Sequence, residues 1–228
     1  MPARNSIDGT DPEPYVRGHN RIARIVLSMS SAGAAVPFRL FHRQSVPDAV
    51  LRGYDRLVAQ ARLPGFYRDV GVPDSVDGRF ELIVLHVYLL AERLRGQGRP
   101  ADAFAQALMN RLVSDMDASL REMGISDLRV PREIKAMVVA LRGRLVAYRQ
   151  GMAAPDDRLL YDALDRNLFG TSEPAAGALA QMSAYVRREA AALAAQPLAV
   201  LLTGDIAFGG APGGDAAAVD DTGAFCSA

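Results

Sequence analysis

Cysteine is nearly absent: Cys226 stands alone, so no internal disulfide forms, and only three histidines accompany it, which argues against a structural zinc site. Tryptophan is missing, and Lys135 is the single lysine among 26 cationic residues. A GC-rich genome explains an arginine bias of that kind without any phosphate ligand. Net charge is missing as well. The 26 basic and 26 acidic residues cancel, which excludes a polyanion binder driven by bulk charge. What remains is a chain of 228 residues, 50% apolar, long enough for one sizeable core without cross-links.

Long hydrophobic runs are also lacking. Ile22 to Phe38 contains Arg24 and three serines, and Leu82 to Leu90 is interrupted by His86 and flanked by charge; a bilayer span takes about 20 apolar residues. A secretory signal competes for the first of these runs, because Arg21 and Arg24 precede a stretch ending in small residues. Asp8, Asp11 and Glu13 upstream make a poor signal leader and argue equally against a mitochondrial transit peptide. Residues 1–44 are therefore expected to be a variable or disordered leader, with Met29 an alternative start. The expected location is the bacterial cytoplasm, with at most peripheral contact at the inner membrane.

From Ser45 to Gly170 the periodicity is helical almost throughout, and residues 45–202 are expected to form one helical domain. Val50, Tyr54, Leu57, Val58 and Ala61 form a stripe that Pro64 and Gly65 end. A long helix from about Asp77 carries Phe80, Val84, Val87, Ala91 and Leu94. Pro100 opens another with Phe104, Leu108, Leu112, Met116, Leu120 and Met123, stopping at Gly124. After Pro131, Ile134, Val138, Leu141, Leu145 and Tyr148 alternate at four and three residues, the cleanest seam in the chain. A short helix follows Pro155, and an alanine-rich one runs to about Ala195. No stretch alternates with period two for long enough to propose a sheet. The fold class is all-α: a single antiparallel bundle of five to six helices, with a Gly/Ala-rich tail over 203–228 expected to be disordered.

Catalytic signatures are missing: no nucleophile elbow, no paired histidines on a helix, no Walker loop. The glycines at 209, 210, 213 and 214 follow no strand and open no helix, so they read as linker. Asp156, Asp157 and Asp162 have the spacing of the magnesium–diphosphate motif of helical isoprenoid synthases. A second aspartate-rich motif is lacking, and acids after Pro155 also suit the positive end of a helix. His86 is expected to be half-buried and to share a hydrogen bond, with ligand or partner contact as the alternative.

Charge is distributed unevenly. Arg129, Arg132, Lys135, Arg142, Arg144 and Arg149 stand against Glu133 alone, while Asp102, Asp115, Asp117, Glu122 and Asp127 outnumber Arg111 and Arg121. Opposite charge on successive helices predicts that the two pair with each other. The alternative is a basic stripe, with Lys135, Arg142 and Arg149 recurring every seven residues, that meets an anionic partner. No aromatic platform is interleaved with these cations, which disfavours nucleic acid.

Four stretches carry a resemblance: FELIVLHVYLLAERL (Phe80 to Leu94), SDMDASLREMGISDLRVPREIKAM (Ser114 to Met137), GRLVAYRQGM (Gly143 to Met152) and LYDALDRNLF, ending at Phe169. Together they resemble the ubiquinol–cytochrome c chaperone family, over roughly Val50 to Phe169. The most specific piece is REMGISDLRVPREIKAM, in which a glycine stop, an aspartate and a proline helix start follow in order. The resemblance implies a non-enzymatic assembly chaperone for the cytochrome bc1 complex that binds newly made cytochrome b, acting with the ribosome or a small co-chaperone. It implies no cofactor. Met109, Met116, Met123 and Met137 would give an adaptable lining to a helix-binding groove. The residues expected at a partner contact are His86, Arg93, Asp115, Gly124, Asp127, Lys135, Arg142, Tyr148 and Arg149; alternatively Asp115 and Asp127 pair internally with His86 and Lys135. A generic helical adaptor and a magnesium-dependent helical enzyme are the competing readings.

Overall fold

The computed structural model describes residues 46–170 and 172–213. The leader, Met29 and Cys226 lie outside them. Every regular element among the described residues is helical: α1 (Asp48–Ala61), α2 (Pro64–Arg68), α3 (Val76–Leu94), α4 (Arg99–Glu122), α5 (Val130–Ala153), α6 (Arg158–Leu168), α7 (Ala178–Ala195) and α8 (Leu198–Leu201). Six of these are the expected bundle helices; α2 and α8 are short additions. Pro64 and Gly65 do end α1, but the same proline then starts α2, which sends Phe66 into the core.

Helix α3 is the axis of the molecule. Ser75 caps its start, the hydroxyl accepting from the Gly78 amide at 3.1 Å. Residues 84–90 are then buried without a break, on every face of the helix, as a helix apolar all round must be. The stripe expected there (Phe80, Val84, Val87, Ala91, Leu94) is thus only part of its contact surface. Around it stand α1, α4, α5, α6 and α7, each touching α3; α1 meets α4, α4 meets α5, α5 meets α6 and α6 meets α7. That ring is left to close between α7 and α1.

Residues 203–213 close it, which corrects the expectation of an unstructured tail and linker over that part. Ile206 is buried beside Gly53 of α1 and Phe104 of α4. Arg52 donates to the Thr203 carbonyl at 2.8 Å, and the Gln60 amide donates to the Gly209 carbonyl at 2.7 Å. On the α7 side, the Gly209 amide donates to Glu189 at 2.8 Å, and Gln196 both donates to and accepts from the Ala207 backbone. The turn at Gly204 has φ +82° and lies so near the Ala49 carbonyl that a Cβ would sit 2.1 Å from it, so only glycine serves.

The charged helices do not pair with each other as their composition predicts. In α4, Arg111 binds Asp115 at 2.8 Å and Arg121 binds Asp117 at 2.7 Å, one turn away in each case. Two arginines of α5 reach α3 instead: Arg149 binds Glu92 at 2.9 Å, and Arg144 grips both oxygens of Glu81, Nε lying 2.8 and 2.7 Å from them. The Arg144–Glu81 pair is almost wholly enclosed. Burial works against the Arg144 charge, but Glu81 outweighs it and holds the guanidinium above its ordinary value.

Candidate functional site

The helix spacing that builds the core leaves one apolar trough unfilled. It opens between α1, the first turns of α3, the second half of α4 and the first half of α5, with a volume of about 580 Å³. Tyr54 and Val58 form one wall, Phe80 and Ile83 the floor, and Leu112, Met116 and Leu120 the other wall. Met123, Ile125 and Met137 close the end, where α4 turns into α5. Charges of both signs border the trough: Arg62, Asp77, Arg79, Asp115, Arg129 and Glu133. The α5 seam differs from the sequence reading. Ile134, Val138 and Leu145 of that seam are only partly buried, packed against the edge of the core, while Leu141 and Tyr148 are fully buried.

Three of the four methionines expected in such a lining are there. Met116, Met123 and Met137 line the groove, whereas Met109 packs against the core elsewhere. Unbranched thioether side chains re-pack at little cost, so a wall containing three of them accommodates apolar segments of varied shape. Tyr54 is fixed within this wall: Arg111 lies over its ring, 5.5 Å from the centroid, and burial together with the neighbouring Asp115 pushes its phenol far above the ordinary range.

The residues expected at a partner contact fall into three groups. His86 and Tyr148 are corrections, since both are completely buried. His86 uses Nδ1 on the Leu82 carbonyl at 2.7 Å and Nε2 on the Tyr185 hydroxyl at 2.6 Å, inside a shell of aromatic rings from Phe66, Tyr185 and Phe208. Burial pulls its pKa down from 6.5 to about 4, so it is neutral. Tyr148 packs on Tyr88, with ring centroids 5.4 Å apart. The alternative network, in which Asp115 and Asp127 pair with His86 and Lys135, is not formed: His86 bonds to Leu82 and Tyr185, and the two aspartates pair with Arg111 and Arg121.

A second group holds the fold together from the surface. Gly124, at φ +79°, ends α4, and Arg93 donates to the Leu193 and Gln196 carbonyls at the end of α7 at 2.9 and 3.0 Å. Arg149 shares Glu92 with Arg95, beside a recess of about 690 Å³. Burial alone would raise the Glu92 carboxyl, but the two arginines hold it below its usual value. The third group comprises Asp115, on the groove rim, Asp127, exposed in the turn after α4, and Lys135 and Arg142, which project from α5 into solvent.

No set of three or more metal-ligating side chains converges among the described residues. Asp157, the centre of the aspartate-rich motif, is occupied by Arg187 at 2.8 Å and by the Ser183 hydroxyl at 2.9 Å, which tie α6 to α7. Those contacts hold its carboxyl below the ordinary range. Among the described residues no helix is long and apolar enough to cross a membrane.

Residues 68–208 match the family model described as ubiquinol-cytochrome C chaperone. Ubiquinol-cytochrome-c reductase complex assembly factor 1 of Xenopus laevis is 24% identical over 149 residues, covering 65% of this chain and 74% of the frog protein. The mitochondrial protein CBP3 of Saccharomyces cerevisiae is 34% identical over 108 residues, which is 46% of this chain and 32% of the yeast protein. The crystal structure of the Cbp3 homolog from Brucella abortus superposes with a TM-score of 0.66 at 35% identity, covering 72% of this chain and 90% of that one.

Proposed function

This chain belongs to the ubiquinol-cytochrome C chaperone family, and from that premise we propose that it assists assembly of the ubiquinol–cytochrome c reductase complex by holding an apolar segment of newly made cytochrome b. The family is one of assembly chaperones rather than enzymes. The observation that carries the reading is the methionine-lined groove between α1, α3, α4 and α5. A membrane-protein client exposes helices with apolar faces before insertion, and such a helix laid into a trough removes that face from water. The mixed charges of the rim fit the polar ends of many segments and select none sharply. An adaptable wall with an unselective rim is what a holding chaperone needs, because tight complementarity would trap the client.

The test is photocrosslinking in respiring cells with a photoreactive residue placed at Met123 or Met137, and at exposed Arg99 for comparison. Adducts to cytochrome b are expected from the two groove positions and not from Arg99. If all three positions yield the same adducts, or none yields cytochrome b, the groove is not the client site. Deletion of the gene separates the wider role from this placement: loss of the b and c1 haem bands is expected while other oxidases persist, and a normal complement of the complex would refute the assembly role itself.

A further inference from the structure

Helix α5 has a second surface that the groove does not use. Viewed along its axis, Leu128 (just before the helix), Arg132, Lys135, Val139, Arg142 and Val146 recur at intervals of four, three, four, three and four, which places them on one stripe. All six are exposed, with Leu128 at 94%, Val139 at 51% and Val146 at 43%. None of Arg132, Lys135 and Arg142 has a partner among the described residues, whereas Arg144 and Arg149 of the same helix are spent on α3. Glu133 is the sole carboxylate between Asp127 and Asp156 in the sequence, and it belongs to Arg129. The stripe therefore intersperses unneutralised cations with aliphatic side chains over about 27 Å.

The geometry points to this face as a docking surface for an anionic lipid bilayer. Two features choose lipid over other polyanions. The residues between the cations are aliphatic, so they enter the headgroup–acyl boundary but offer no flat platform for a stacked base. The cations also lie on one straight edge, which suits a plane. Cations near an anionic membrane each raise partition about fivefold, so three supply on the order of 100-fold. That is reversible, peripheral attachment. It would also orient the molecule usefully: Ala136 and Met137, which line the groove, are sequence neighbours of Lys135 and Val139, so a helix lying on the membrane holds the groove mouth beside the surface.

Flotation of the full chain with vesicles tests this without any client, so its outcome is separate from that of the cytochrome b reading. Phosphatidylcholine vesicles, alone or with phosphatidylglycerol, are compared at low and high salt. The protein is expected to float with the anionic vesicles only, and to be released by salt. Arg132→Gln with Lys135→Gln and Arg142→Gln should weaken partition about 100-fold. Val139→Ser with Val146→Ser should weaken it about tenfold. Arg68→Gln with Arg99→Gln, which removes exposed cations elsewhere, should leave it nearly unchanged. The swapped set Arg132→Lys, Lys135→Arg and Arg142→Lys should restore binding, which separates lost charge from lost folding. Equal flotation with neutral vesicles, equal weakening by the Arg68/Arg99 pair, or failure to float while RNA or a second copy is bound through the stripe, would overturn the proposal.

Discussion

His86 makes the stability of this bundle sensitive to acid, and the size of the effect follows from its surroundings. The ring is completely buried, contacts Phe66, Tyr185 and Phe208 edge-on, and titrates at about 4. In the unfolded chain the same ring takes up its proton near 6.5. Between those two values the unfolded state binds the extra proton, so acid favours unfolding. The contribution is fully present above the unfolded value and is lost as pH falls through the folded one. Each pH unit in that window removes up to about 1.4 kcal/mol, and the whole window about 3 kcal/mol. Against a typical total of about 5–15 kcal/mol that is a large share. His86→Phe removes the titration while keeping a ring among rings, and the Tyr185 hydroxyl retains its bond from Gln60 at 3.0 Å. Urea unfolding followed by circular dichroism between pH 7 and 4 should give the native chain a steeper loss of stability than the variant, with the curves separating by about 3 kcal/mol across the range. Parallel curves would refute the argument, because they would mean that His86 carries the same proton load folded and unfolded.

Two further outcomes concern how the helices are held. Arg144→Met should destabilise by about 3–5 kcal/mol, since it strands Glu81 in the core, whereas Glu81→Leu combined with Arg144→Met should recover most of that loss; additive single effects in denaturant titrations would show that the pair is not a coupled unit. Gly151 allows α5 to cross α6 closely, and a Cβ there would sit 2.6 Å from the Leu160 Cα, so Gly151→Ala should lower stability by about 1–3 kcal/mol, while Gly143→Ala, in open space on the same helix, should raise it by up to about 1 kcal/mol. A melting comparison of the two variants decides this, and equal shifts would remove the close-approach argument.

The helices were legible because apolar spacing is a local property. Phe104, Leu108, Leu112 and Met116 had to face a core at the positions they occupy, and the methionines Met116, Met123 and Met137 were visible as a flexible set before any groove was known. Distant pairing was not legible in the same way. Counting charge on neighbouring helices matched α4 with α5, but Arg144 finds Glu81 across 63 positions of sequence, a choice made by packing. His86 was underestimated because it lies beside the main apolar stripe, on a helix flanked by charges at Glu81, Glu92 and Arg93. Two of those charges are consumed by contacts to α5, and Arg93 caps α7. The segment at 203–213 was hidden by its composition. Ile206 and Phe208, two large residues among glycine and alanine, were the available signal, and averaging over the window erased it.

That segment ties the last packed residues to the first helix, with Ile206 seated on Gly53 and Phe208 roofing His86. During synthesis the interior consequently stays unsealed until translation has passed Phe208, even though every long helix is already complete. A truncation that ends ahead of that point leaves the histidine chamber open to water, and it would be felt across the molecule rather than at one end.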